Sequence, residues 1–169
     1  MPAQSVGFLN ALTCRPNRLR YNKKVTANYM GLKLNCILLI DDDEVNNYHN
    51  MGVIKSVHKV VNIQTQKTVL SALNYLAASG GNAKRDTALH FPDLILLDIS
   101  MPGLDGWDFL HFYKNAKYTY IRMPIIIVLS SSFNTSDKEK AMAMQEVSGV
   151  YSKPLTREII KSIFATYFA

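Results

Sequence analysis

Residues 93–106 read Asp93-Leu-Ile-Leu-Leu-Asp-Ile-Ser-Met-Pro-Gly-Leu-Asp-Gly106. Four consecutive aliphatic side chains, without the in-out alternation of a half-exposed strand, suit a strand covered on both faces, as in a parallel sheet. The run Leu94–Leu97 delivers the chain directly to Asp98. A carboxylate at that place is carried out of water and needs a partner. Two more runs of the same kind flank it in sequence, Cys36–Ile40 and Ile125–Leu129. Val60–Gln64 and Val150–Ser152 are weaker strand candidates.

Helical periodicity fills the intervals. Val69, Leu70, Leu73, Leu76 and Ala77 form an apolar stripe at helical spacing, closed by Ser79-Gly80-Gly81. A helix over Trp107–Lys114 follows Gly106, and Ser136-Asp-Lys-Glu139 has the capping-box pattern of a helix reaching about Met144. The last helix starts near Thr156 and aligns Ile159, Ile160, Ile163, Phe164, Tyr167 and Phe168. The helix from Val45 to about Val57 is interrupted by Gly52, which costs about 1 kcal/mol relative to Ala. Five β-α units in succession predict a doubly wound α/β domain with a parallel sheet and helices on both faces. The connection from Ser79 to Pro92 reads as a solvent loop.

At 169 residues and 48% hydrophobic content, the chain has room for one domain with a proper core. No apolar run approaches the length of a membrane span. The two cysteines, Cys14 and Cys36, do not suggest a disulfide framework, so a reducing, cytoplasmic setting is expected. The net charge of +6 is concentrated at one end. Residues 1–29 hold Arg15, Arg18, Arg20, Lys23 and Lys24 and no acid; subtracting those five leaves +1 from Met30 onward. Residues 1–33 are therefore expected to be a basic, disordered leader, with Met30 an alternative start, and 34–169 the folded domain. A basic arm for anionic partners is the other reading of that segment.

Polar groups follow each buried strand. The first runs into Asp41-Asp42-Asp43-Glu44, the third into Asp98, the fourth into Ser130-Ser131-Ser132, and the fifth into Lys153-Pro154. Taken singly, the acids could be a helix N-terminus, the serines a loop, and Lys153-Pro154 a turn. In a parallel sheet, however, all these strand ends share one edge, where ligands of such folds bind. Carboxylates, a hydroxyl and an ammonium converging there suit a phosphate and a hard cation such as Mg²⁺.

With these residues the chain, from about Leu34 to Ala169, resembles the receiver domains of two-component response regulators. The resemblance rests on Ile37-Leu-Leu-Ile-Asp-Asp42, the 93–106 stretch, Pro124-Ile-Ile-Ile-Val-Leu-Ser130 and Ser152-Lys-Pro-Leu155. It implies a flavodoxin-like, five-stranded parallel sheet of order 2-1-3-4-5. It implies Asp98 as phosphoacceptor, with Mg²⁺ held by Asp41, Asp42, Asp98 and the backbone carbonyl of Ser100. Lys153 would pair with Asp98 and then with the phosphate, Ser130 would bond the phosphoryl group, and Lys153–Pro154 would be cis. The phosphodonor would be a histidine kinase or a histidine phosphotransfer protein. No separate enzymatic activity is implied, although the domain would catalyse its own phosphoryl transfer and dephosphorylation.

Two departures and two rivals bear on this reading. The usual switch aromatic, three residues before the lysine, is Val150, while Tyr151 has the opposite strand parity. Ser100 and Ser132, at the positions that flank the hydrolytic water in the family, are both short, which implies an open path but poor orientation of the water and an aspartyl phosphate of intermediate lifetime. A haloacid-dehalogenase-like hydrolase would need a carboxylate at Ser100. A degenerate receiver, acting as a phosphorylation-independent binding module, would not need all of Asp41, Asp42, Asp98, Ser130 and Lys153. No helix-turn-helix follows the last helix, so output is expected through a downstream protein rather than DNA, and no membrane association is expected.

Overall fold

The computed structural model describes residues 33–59, 61–80, 90–116, 123–131 and 135–168. Expectations for the leader, the greater part of the loop after Gly80, and Ser132 fall outside those residues.

The elements alternate strictly. In chain order they are β1 (Cys36–Ile40), α1 (Glu44–Val57), β2 (Asn62–Gln66), α2 (Val69–Gly80) and β3 (Leu94–Asp98). Then come α3 (Gly106–Asn115), β4 (Ile125–Ser130), α4 (Thr135–Ala143), β5 (Val147–Ser152) and α5 (Arg157–Tyr167). All strand pairs are parallel, and the sheet order is β2-β1-β3-β4-β5. This is the doubly wound arrangement expected from the alternation of runs, in the flavodoxin-like strand order that the family resemblance implied.

Strand parity explains why the central runs are uninterruptedly apolar. Leu38, Ile40, Ile95, Leu97, Ile126 and Val128 point into one core with Val69 and Leu76 of α2, Phe109 and Leu110 of α3, and Ala141 of α4. Ile37, Leu39, Leu94, Leu96, Ile127 and Leu129 point into the other, with Ile54 of α1 and Ile160 and Ile163 of α5. Neither face meets water, so neither parity can be polar. A β-irregularity opposite Ile126 and Ile127 lets both Val147 and Val150 pack on the α2–α4 side, while Tyr151 packs on the α1–α5 side.

Several boundaries differ from the sequence reading for physical reasons. The second strand is Asn62–Gln66 rather than Val60–Gln64, because pairing with β1 starts at Cys36↔Asn62; Val61 is instead buried ahead of the strand. The last strand begins at Val147, three residues earlier than its apolar centre suggested. On α2, Leu70 is 62% exposed, and the buried face comprises Val69, Ala72, Tyr75, Leu76 and Ser79. Tyr75 and Ser79 can face inward because their hydroxyls donate to the carbonyls of His90 and Tyr75, at 2.6 and 2.8 Å. Ser136 lies inside α4 rather than capping it. The capping box occurs on α3 instead, with Asp105 accepting from Trp107 and Asp108 amides and Asp108 accepting from the Asp105 amide.

Helix α1, with Gly52 near its middle, is the longest of the five. Asp43 caps it, and Gly52 faces open space. Its inward residues are Asn47, Asn50 and Ile54, whereas Val45 and Tyr48 are more than three-quarters exposed. Hydrophobic periodicity is therefore a poor guide here, since the first two turns bury amides and expose apolar groups. Among the described residues no helix is long and apolar enough to cross a membrane.

Candidate functional site

Four strand ends assemble the site. β1 ends at Ile40, and the chain stays in register for one more residue because the Asp41 amide donates to the Gln66 carbonyl. Asp41 is thus delivered, buried, to the carboxyl edge of the sheet. Its Oδ1 accepts from the Asp43 amide at 2.9 Å, and its backbone carbonyl accepts from Asn47 Nδ2 at 2.7 Å. The side chain and main chain of Asp41 are each pinned by the first turn of α1.

Asp98 is the last residue of β3 and is also buried. Its Oδ1 accepts from the Ser100 amide at 3.1 Å. The loop beyond it folds back so that the Gly106 amide donates to the Ile99 carbonyl. A Cβ at position 106 would stand 2.4 Å from the Asp98 carbonyl oxygen and 2.7 Å from Ile99 Cα, so only glycine admits this approach. Gly103, at a φ of 76°, makes the turn within that loop.

Lys153 comes from beyond β5, where its amide donates to the Ser130 carbonyl at 2.9 Å and its peptide bond to Pro154 is cis. Its Nζ lies 2.7 Å from Asp41 Oδ2 and 2.8 Å from Asp98 Oδ2. Burial pulls the ammonium toward deprotonation, but its bonds to Asp41 and Asp98 outweigh that, and its pKa is raised. Carboxylate oxygens of Asp41, Asp42 and Asp98 all lie within 4.8 Å of one another. Three carboxylates against one ammonium leave an excess of negative charge, and the donors are hard oxygens, so the residues fit a divalent cation.

The residues singled out from sequence are brought together with few exceptions. Asp41, Asp42, Asp98 and Lys153 form one cluster. Ser130 ends β4, opposite Ser152, one position beyond the residue paired with Asp98. Ser100 reaches Asp98 through its amide nitrogen, and its own side chain is exposed. Sequence reading missed the Lys153–Asp41 bond, Asn47 and the steric role of Gly106. Asn47 follows the cap residue Asp43 by four positions, a spacing that points it back at the strand end. Gly106 gave only its place in the Asp-Gly pair as a signal.

Residues 37–165 match the response regulator receiver domain family, and the chain belongs to it. It is 27% identical over 128 residues to a probable methanogenesis regulatory protein, FilR2, of Methanothrix harundinacea, covering 74% of this chain and 76% of that protein. It is 30% identical over 131 residues to the probable C4-dicarboxylate response regulator DctR of Halalkalibacterium halodurans, covering 78% of this chain but only 50% of that relative. The crystal structure of a two-component response regulator from Cytophaga hutchinsonii superposes with a TM-score of 0.68 at 32% identity, over 80% of this chain and 98% of that one. The protein is thus a receiver domain of two-component signalling.

Proposed function

We propose that this receiver is an active phosphoacceptor, taking a phosphoryl group on Asp98 from a histidine kinase or histidine phosphotransfer protein. The observation that carries this reading is Lys153 bridging Asp41 and Asp98, beside Asp42, at the carboxyl edge of the sheet. A degenerate binding module has no use for a cation shared between two buried carboxylates, an arrangement costly to desolvate.

In the transfer, Asp98 Oδ attacks phosphorus as the bond from phosphorus to the donor histidine nitrogen breaks, and the electron pair returns to the imidazole. Asp41, Asp42, Asp98 and the Ser100 carbonyl would hold Mg²⁺, which when bound offsets charge on the phosphoryl oxygens. Lys153 moves its interaction from the acceptor carboxylate to a phosphoryl oxygen, and Ser130 donates its hydroxyl to another. Hydrolysis of the aspartyl phosphate resets the domain. The signal passes to a downstream protein in the cytoplasm by contact.

Incubation with Mg²⁺ and acetyl phosphate, followed by intact mass measurement, tests the reading. The mass rises by one phosphoryl group in the wild type and does not in Asp98→Asn. Equal labelling of the mutant would move the acceptor elsewhere.

A further inference from the structure

We propose that His49, on helix α1, is a positioning residue for Lys153. His49 Nε2 lies 2.9 Å from the backbone carbonyl oxygen of Leu155, a contact between residues 106 apart in sequence. A carbonyl only accepts, so Nε2 carries the proton and donates. The direction of this bond is the same for the neutral ring with a protonated Nε2 and for the imidazolium.

The connection between β5 and α5 explains why this bond matters to the site. Lys153 anchors it on one side, through its amide on the Ser130 carbonyl. Pro154 has no amide hydrogen to give. Helix α5 begins only after Thr156, whose hydroxyl accepts from the Ile159 amide. The Leu155 side chain is buried in the α1–α5 core, so its main chain is held against the body of the protein. His49 supplies a donor to its carbonyl, and the three-residue run from Lys153 to Leu155 is thereby fixed at both ends.

The same helix holds the other end of the ion pair. Asn47, two residues earlier, donates to the Asp41 carbonyl, and Asp41 receives Lys153 Nζ. Helix α1 therefore grips the main chain of Asp41 through Asn47 and the main chain beyond Lys153 through His49. One helix thus contributes to holding both charged groups, beside the sheet that carries them. Loss of the His49 bond would let the Lys153 loop drift relative to Asp41 and Asp98, and small displacements of an electrostatic group weigh heavily on transfer rates.

This inference rests on the phosphoacceptor reading for its kinetic consequence but not for its structural one. The variants are His49→Phe, which keeps a ring without a donor, and His49→Gln, whose amide donates at similar reach. Two quantities are read in the full chain: hydrogen-exchange protection of the Lys153 amide, and the initial rate of labelling by acetyl phosphate at saturating Mg²⁺. His49→Phe is expected to lower protection and slow labelling about three- to tenfold, the size of one lost hydrogen bond. His49→Gln is expected to restore both toward wild type. In a Lys153→Met background, His49→Phe should add no further slowing, because the group it positions is gone. Wild-type protection and rate in His49→Phe would overturn the proposal, as would full additivity with Lys153→Met. If Asp98 is not labelled in any variant while Lys153 protection still follows the donor at position 49, the phosphoacceptor reading fails and the positioning role stands.

Discussion

Gly106 lies against the carbonyl oxygen of Asp98 so closely that a single added methyl group would stand 2.4 Å from it. The atom in the way is main chain, at the end of a central strand, and cannot swing aside. Helix α3, capped by Asp105, begins at this contact, so Asp98 and the helix start share one rigid corner. Gly106→Ala is expected to destabilise the fold by about 2–3 kcal/mol through overpacking. A urea denaturation midpoint within error of wild type would show that the corner relaxes freely.

Removing the shared cation should be costly for a different reason. Lys153 bridges two carboxylates that are both buried, and Lys153→Met leaves them without their shared cation. Breaking a buried pair from one side typically costs about 3–5 kcal/mol. The loss is expected to be largest in a chelator and smaller in millimolar Mg²⁺, which replaces part of the missing charge. Asp98→Asn in the same background should recover stability by deleting one of the opposed charges. Thermal melts of the three proteins, with and without Mg²⁺, read all three expectations.

The pH dependence of that pair follows from the raised pKa of Lys153. Its stabilising contribution is complete below the ordinary lysine range and is lost only as pH rises through the raised folded value. The stability gap between wild type and Lys153→Met should therefore stay constant from neutral pH up to the ordinary lysine pKa and close above it. A gap that narrows already near neutrality would contradict this charge assignment.

Divalent metal should stabilise the protein in a saturable way, through Asp41, Asp42 and Asp98. Free ligand at 100 times its dissociation constant adds about 2.7 kcal/mol to a single-site protein. Replacing Asp41 and Asp42 together with Asn is expected to abolish the Mg²⁺-dependent rise in melting temperature. Persistence of the full rise in the double variant would place the cation elsewhere.

Cys36 offers a check on the core rather than the site. Burial pushes its thiol up to about 11, and its Sγ donates to the His90 carbonyl. With so little thiolate, alkylation at pH 8 in a Cys14→Ser background is expected to be at least tenfold slower than for a free thiol. Fast modification without unfolding would mean that this end of β1 opens locally.

The sheet and its functional edge were legible because both rest on short-range patterns. A buried parallel strand has to be apolar at every position, and Cys36–Ile40, Leu94–Leu97 and Ile125–Leu129 are. The edge strand β2 and the amide-lined helix α1 obey no such rule, which is why the boundary at Asn62 and the inward face of α1 were hidden. Asp41, Asp42, Asp98 and Lys153 stood out because they lie at the ends of three different strands. His49 and Asn47 did not, since what they do depends on carbonyls presented by the folded main chain, one of them 106 residues away.

Polarity at β2 also bears on what the border of the sheet can pair with. Among the described residues this strand, Asn62-Ile-Gln-Thr-Gln66, pairs with β1 on one side only, and its other side carries main-chain donors and acceptors not used in the sheet. Such an open border is a template for intermolecular pairing, and proteins blunt it by making the strand a poor place to stack apolar side chains. Asn62, Gln64, Thr65 and Gln66 do that here at the cost of a weaker strand signal. Four uncharged polar residues thus make this border a poor seat for an apolar strand, while the Gln66 carbonyl still receives the Asp41 amide.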